Sequence, residues 1–381
     1  MNRIREDSSI FLEDRTIGAA PACLSFKNQV DEVVAWDADT FYRALALLRV
    51  WQKKGLYLAG FISYDAGLIL HDLVQKNLSS LPFLHFVAYR DLATTFEMPN
   101  KKSFGLTHLT LGWGATEYKR AFDQVKRHIE QGDTYQVNLT SKYHFNFEGD
   151  ACSLYQILRE TQASAYSGLL LFPEYQILTL SPELFFSKKG RKLRTKPMKG
   201  TVRRGETSSE DEANKQWLLQ DDKSKAENTM IVDLLRNDMS KVSTPGSVIV
   251  STLLEIESYK TVHQMTSTID SEVEMDLDFA ELLKALFPCG SITGAPKKRT
   301  MEIINSIETE PRGLYTGAIG YILPNNDMCF NVAIRTLVIQ NRHGELGLGG
   351  GVVYDSNAED EYAELKLKGT FFSEIINCVD Y

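Results

Sequence analysis

Strand-like and helical runs in this chain come in blocks instead of strict alternation, and that order is what most narrows its fold. A doubly wound α/β sheet needs strand and helix to alternate, so the blocks predict an α+β architecture. Tyr118, Phe122, Val125 and Ile129 recur at helical spacing, and Gly132 follows as a stop. Tyr135, Val137 and Leu139 then alternate, as do Tyr143, Phe145 and Phe147, which predicts a long strand leaving that helix. Further strands are expected at 175–180, 184–187, 246–250, 316–322, 330–339 and 346–353. Helices are expected at 213–219, 225–239, 279–286, 297–308 and 359–378. The first hundred residues read as short strands, such as 56–64, with one helix at 40–51. A Lys-rich joint at 100–103 divides an N-terminal α+β part, 1–100, from the remainder, 101–381.

The 381 residues, 43% hydrophobic and 24% charged, are enough for one large domain or two ordinary ones. A net charge of −8 argues against a general nucleic-acid surface, although a local Arg/Lys cluster can still oppose that sign for a small anion. The five cysteines (Cys23, Cys152, Cys289, Cys329, Cys378) are odd in number and widely spaced, without a CxxC. They point to free thiols in a reducing compartment, not to a disulfide frame or a zinc site. With no signal-peptide core and no apolar run of membrane-spanning length, a cytoplasmic location is expected.

Several stretches could carry chemistry. Thr195-Lys196-Pro197-Met198-Lys199-Gly200-Thr201 sets Lys199 between a proline bend and a glycine that lets a ligand come close, with Glu183 shortly before it. An amine needs a proton acceptor to act as a nucleophile at neutral pH, although most lysines are solvated surface groups. Glu361, Glu364 and Lys368 share one helix face, with Leu365, Phe372 and Ile376 opposite for burial; taken alone, this equally describes a solvated Glu–Lys face. If the helix carrying Glu227 meets that face, Glu227 and Glu364 can hold one hard cation such as Mg²⁺, with water in the remaining positions. The loop 288–297, with Thr293 and Gly294, precedes a helix and offers amides and hydroxyls to a carboxylate or phosphate; it also fits a plain helix-entry turn capped by Thr293. Neither this loop nor Gly347, Gly349, Gly350 and Gly351 has the spacing of a nucleotide-binding motif. His263 alone reads as a structural histidine, and Arg335, in an apolar strand, calls for a bidentate carboxylate partner.

Six ordered blocks resemble the chorismate-utilising enzymes, and within them component I of the aminodeoxychorismate synthases: 132–138, 181–183, 196–201, 226–238, 290–297, and 349–351 through Glu364 and Lys368. The resemblance runs from about Trp113 to the end of the chain. It implies two packed antiparallel β-sheets with surrounding helices as one fold, 1–100 integrated into it and 101–381 forming the chorismate-binding catalytic region. The implied substrate is chorismate, a small dicarboxylate with a hydroxyl and an enolpyruvyl ether. Mg²⁺ on the ring carboxylate would be held by Glu227 and Glu364, with Glu361 acting through water. Lys368 and the amides near Gly350 and Gly351 would bind that carboxylate, Tyr315 and Arg335 the enolpyruvyl one, and His263 would lie near the departing hydroxyl. Lys199 decides the branch. Anthranilate synthases typically have Ala there and let ammonia attack carbon 2. With Lys199, the lysine adds at carbon 2 and ammonia follows at carbon 4, with Glu183 as general acid/base and His263 assisting. Anthranilate synthases also usually carry a Glu three residues before the position of Glu227, where this chain has Ser224. The tryptophan-pocket element of larger members, Leu-Leu-Glu-Ser, has only a degenerate relative in Phe11-Leu12-Glu13-Asp14. The chain has no Cys-His-Glu glutaminase signature, so the ammonia is expected from a separate glutaminase subunit. The competing expectations are anthranilate synthase component I, a water-using isochorismate or salicylate synthase, a nucleotide-dependent transferase, and a non-catalytic binding subunit.

Overall fold

The structure, a computed structural model, describes residues 8–15, 22–162, 164–259 and 262–379, the last four in backbone only. Ile376 and Cys378 therefore lie outside the described side chains. The strands form one antiparallel series. Hydrogen bonding passes from Phe104–Leu111 to Gln136–Gly149, His343–Val352, Thr336–Gln340, Gln176–Ser181, Tyr166–Leu171 and Ser9–Asp14. It continues through Ala22–Ala35, Leu84–Ala93 and Tyr57–Ile62 into Ala318–Ile322, Met328–Val332 and Leu184–Lys189. Lys192–Lys196 and Met198–Arg203, separated at Pro197, then pair with opposite ends of Val262–Glu272, whose other edge takes Ile249–Ser258. Strands from before residue 100 thus join the two halves of the series, and one apolar core takes side chains from both, among them Leu178, Leu337 and Leu346 with Phe86, Phe186 and Phe330. The fold is α+β, with helices packed around antiparallel sheet.

Local sequence explains most of these elements. Ala115–Glu130 buries Tyr118, Phe122, Val125 and Ile129, the stripe read from the sequence. Ala38–Lys53 starts at a capping box made by Asp37 and Thr40, and Asp221 caps Asp222–Ser240 through the Ser224 amide. Three expected elements differ. The run 330–339 is two strands, Met328–Val332 and Thr336–Gln340, broken where Arg335 takes φ +48°. The helix 359–378 is two helices, Ala358–Leu367 and Thr370–Val379, interrupted at Lys368 and Gly369. The strand expected at 246–250 begins at Ile249, after a turn at Gly246, and runs to Ser258. Glu13, in the degenerate tryptophan-pocket element, is buried and bound by Arg159 (Nε 2.6 Å, Nη2 2.5 Å) and the Tyr155 hydroxyl (3.2 Å). Among the described residues no helix is long and apolar enough to cross a membrane.

A buried ion pair knits the site-bearing segments together. Arg312 donates to both oxygens of Glu308 (2.9 and 2.8 Å), to the Ile292 carbonyl (2.9 Å) and to the Asn138 carbonyl (2.6 Å), while its guanidinium lies over the Tyr64 ring. Glu308 also accepts from the amide and hydroxyl of Thr140 (3.1 and 2.8 Å). Removing one partner strands the other charge away from water, which costs roughly 3–5 kcal/mol. Arg312→Met and Glu308→Gln should each lower the free energy of unfolding by about that amount in denaturant titrations. The double variant should lose less than the sum of the two.

Candidate active site

Segments far apart in the sequence converge on one site. Glu183 lies in the short connection between Gln176–Ser181 and Leu184–Lys189, where the Ser181 hydroxyl accepts from the Glu183 amide (3.2 Å) and donates to the Val332 carbonyl (2.6 Å). Its side chain is buried, touching the Ser291 hydroxyl and the Met198 amide, and Oε1 has no partner among the described residues. Burial pushes the Glu183 carboxyl up to about 7, against the pull of Ser291, the Lys199 charge and the Met198 amide. Lys199, half-buried, donates from Nζ to the Ser291 carbonyl at 3.0 Å, and its charge acts on Glu183, Glu227 and Glu364. Its side chain therefore faces the glutamates.

Gly200 has a different use from the one its sequence position suggests. A Cβ there would lie 2.6 Å from the Ser224 hydroxyl and 3.0 Å from Leu218, at φ +84°. The gap admits the helix Asp222–Ser240, not a ligand. That helix is pinned to Val262–Glu272 by Asn228, which accepts from the Ser267 hydroxyl (2.5 Å) and donates to the Met265 carbonyl (3.4 Å). This close seating carries Glu227 into the cleft.

The glutamates gather around two glycines. The point where a Cβ on Gly350 would sit is 3.2 Å from Glu361 Oε2, 3.7 Å from Lys368 Nζ and 3.9 Å from Glu364 Oε1. The corresponding point on Gly351 is 3.6 Å from Glu227 Oε2. Glu361, far from a solvated face, is buried and accepts from Ser356 (2.6 Å) and Lys223 (3.1 Å). Lys223 also stands 4.0 Å from Glu227. Lys368 bridges Glu364 (2.7 Å) and the Gly349 carbonyl (2.8 Å). Burial raises the Glu227 carboxyl; Lys199 and Lys223 oppose it, and the neighbouring Glu361 and Glu364 reinforce it. Burial acts the same way on Glu364, but Lys368 in direct contact outweighs it, so that carboxyl is lowered. Three oxygen-donor carboxylates around one backbone floor suit a hard divalent cation. As the side chains lie, ammonium groups are interleaved among them, and among the described residues no three acidic, imidazole or thiol groups close on a common point.

The remaining candidates are placed as follows. Arg335 is largely buried with no carboxylate partner among the described residues, and burial lowers its pKa. The carboxylate partner expected from the sequence is therefore missing among the described residues. Tyr315 lies in the neighbouring loop, where the Thr316 amide donates to the Ala333 carbonyl and the Ala333 amide to the Gly317 carbonyl (both 2.9 Å); its hydroxyl pKa is raised by burial. The Thr293 hydroxyl donates back to the Cys289 and Gly290 carbonyls (3.1 and 3.4 Å), closing the short 3-10 turn Gly290–Ile292, and the cap residue of Lys297–Ile307 is Pro296, so Thr293 does not cap that helix. Gly294 pairs with Val137, and Lys297 is buried against Asp238 (2.6 Å). His263 is fully buried, with Nδ1 at 2.9 Å from the Ser258 hydroxyl and Nε2 at 2.8 Å from Asp211, which Arg204 also binds. Both of its nitrogens are occupied by the protein. Ser291 and Lys223 belong to the cleft without having been singled out in the sequence. Lys223, four residues before Glu227, resembles a surface i,i+4 pair until Glu361 arrives from another helix.

With this geometry in view, residues 95–374 match the profile of the chorismate binding enzymes, and the chain belongs to that family. It is similar to aminodeoxychorismate synthase component 1 of Bacillus subtilis, 42% identical over 346 residues, covering 80% of this chain and 73% of that one. It is also similar to a protein of Oryza sativa named probable aminodeoxychorismate synthase, chloroplastic: 42% identical over 264 residues, or 68% of this chain and 30% of the rice one. Among solved structures, anthranilate synthase component I from Streptococcus pneumoniae superposes with a TM-score of 0.80 at 26% identity, covering 97% of this chain and 93% of that one.

The Glu183 carboxyl, normally near 4.5, is raised to about 7, so its neutral form is favoured in the folded state. Its contribution to stability is complete below about pH 4.5 and is lost as pH rises through 7. Asp65, also buried and also raised to about 7, adds a slope of the same sign, so the comparison must be with a variant. Glu183→Gln should gain stability relative to the parent between pH 5 and 7, by at most ~3 kcal/mol, in urea unfolding at the two pH values.

Proposed function

We propose that the chain converts chorismate and ammonia to 4-amino-4-deoxychorismate, as component I of an aminodeoxychorismate synthase. The observation that carries this reading is Lys199: its amine is held 3.0 Å from the Ser291 carbonyl, and Ser291 also contacts the buried Glu183 carboxyl. A family member with an amine at this point has a nucleophile of its own. The Glu183 carboxylate takes a proton from the Lys199 ammonium, the freed Nζ bonds to ring carbon 2, the diene electrons shift, the bond from carbon 4 to its hydroxyl breaks, and Glu183 passes the proton on so that water leaves. Ammonia then bonds to carbon 4, the electrons shift back, and the bond from carbon 2 to Lys199 breaks to restore the amine. A carboxyl near 7 can give the proton in the first step and take one in the second.

Glu227 and Glu364, with Glu361 beside them, would hold Mg²⁺, which would neutralise and orient the ring carboxylate. Lys368 and the Gly350–Gly351 backbone would receive that carboxylate, and Arg335 with Tyr315 the enolpyruvyl one. Thr293 and Gly294 shape the loop behind Ser291. His263, its nitrogens taken by Ser258 and Asp211, ties the strand Val262–Glu272 to the helix Ser208–Gln220. The ammonia would come from a separate glutaminase subunit, and a reducing cytoplasm suits the free thiols Cys23, Cys152, Cys289 and Cys329.

Purified protein given chorismate, Mg²⁺ and an ammonium salt should form 4-amino-4-deoxychorismate, identified by mass and chromatography; with glutamine as the nitrogen source it should form none. Anthranilate as the product would overturn the proposal. Lys199→Ala should lose at least ~10²-fold in kcat or shift amination to carbon 2. Glu227→Gln and Glu364→Gln should each move the midpoint of a magnesium titration upward by at least ~10-fold, because each removes a hard anionic ligand.

A further inference from the structure

Beside the Arg312–Glu308 pair, just past the strand Tyr57–Ile62, lies a void of about 20 Å³ lined by Tyr64, Asp65, Asn77, Glu308, Glu310 and Arg312 among others. It has room for one particle the size of water. Two of its groups are unmet. The Tyr64 hydroxyl is buried, the residue being 2% exposed, and has no hydrogen-bond partner among the described residues. With no protein atom to bond, it faces the void its residue lines. The Asp65 carboxyl, 3% exposed, accepts one hydrogen bond among the described residues, from the Gly313 amide to Oδ2 (3.1 Å), although a carboxylate has room for about four. Asn77 spends its Nδ2 on the Glu308 and Thr309 carbonyls (3.5 and 3.1 Å), which leaves its own amide oxygen as a further acceptor.

The charges around the void decide what it would take. Arg312 is held by both oxygens of Glu308, Lys142 by Glu345 (2.8 Å), and Glu310 pairs with His144 (3.0 Å). Each of these charges has its own counter-ion, whereas no ion pair reaches Asp65 among the described residues. Burial raises the Asp65 carboxyl to about 7, and Lys142, the Gly313 amide and Arg312 oppose it without cancelling it. Water in the void would satisfy hydrogen bonds but leave the carboxylate charge unbalanced. A cation held by the Tyr64, Asp65 and Asn77 oxygens does both. One unpaired carboxylate balances one charge, and no three acidic groups close on a common point among the described residues, so a divalent ion does not suit the site. Potassium and ammonium ions are both close to water in size. We infer that Tyr64 and Asp65 form a binding site for a monovalent cation of that size, potassium or ammonium, at the foot of the Arg312–Glu308 pair. The site is separate from the glutamates around Gly350 and Gly351, and the inference does not rest on the proposed function.

The test is thermal melting of parent, Tyr64→Phe and Asp65→Asn at pH 8, in magnesium-free buffer of constant ionic strength, with choline chloride exchanged stepwise for potassium chloride or for ammonium chloride. The parent melting temperature should rise saturably by about 2–5 °C with potassium, with ammonium or with both, and the ion that acts identifies the ligand. Tyr64→Phe removes only an unpartnered hydroxyl, so it should fold as the parent does and need roughly 10-fold more cation for the same rise. Asp65→Asn should show no cation-dependent rise. A parent that responds to neither ion overturns the inference. A rise kept at the parent's cation concentration in Tyr64→Phe, or kept at all in folded Asp65→Asn, places the ion elsewhere and overturns it too. If Asp65→Asn does not fold, Tyr64→Phe decides alone.

Discussion

The buried pair between Arg312 and Glu308 is the interaction on which the cleft depends. Two ions taken out of water are unfavourable unless nearly every donor and acceptor is met, and here they are met by segments distant in sequence. Arg312 holds the Ile292 carbonyl, next to the Ser291 that touches both Lys199 and Glu183. It also holds the Asn138 carbonyl, on the strand residue paired with Gly351. Glu308 closes the end of Lys297–Ile307 and takes both donors of Thr140. The loop carrying the Lys199 contact and the strand supporting the glycine floor are thus fixed relative to each other by one charged cluster below the reacting surface. Such a network, fully satisfied, favours a single arrangement.

Above that cluster the cleft is a balance of charge. Glu183, Glu227, Glu361 and Glu364 face Lys199, Lys223 and Lys368; Glu183 and Glu361 are buried, whereas Glu364, Lys223 and Lys368 stay open to water. The outcome differs from one carboxyl to the next for local reasons. Glu364 touches Lys368 and is lowered, Glu227 has its ammonium groups farther off and is raised, and Glu183 lies deepest and rises to about 7. A protein of net charge −8 therefore keeps cations interspersed among buried carboxyls in one place, beside a carboxyl raised to about 7.

Residues whose role follows from local pattern were readable in the sequence. The apolar stripe of Ala115–Glu130 and the block order of strands and helices needed only periodicity. The breaks were not readable. No proline or glycine marks 333–335, yet the chain turns there with Arg335 at φ +48°. Gly200 looked like room for a ligand because its true neighbour, Ser224, is brought in by helix packing. Thr293 looked like a cap, but its hydroxyl closes its own loop. A lone histidine in sequence gives no hint of its partners, and His263 proves to be held by Ser258 and Asp211.

The sequence alone determined the fold class, the family, and the chemical identity of the groups that could meet: an amine at 199, carboxylates at 183, 227, 361 and 364, and a guanidinium at 335. These follow from composition, spacing and ordered motifs, which are local properties. Only the tertiary structure decided which groups do meet. It turned Lys199 inward, put Lys223 between Glu227 and Glu361, and left Arg335 without an internal carboxylate among the described residues. The reason is that protonation and hydrogen bonding depend on burial and on distances of a few ångströms, and folding sets both by bringing together residues far apart along the chain.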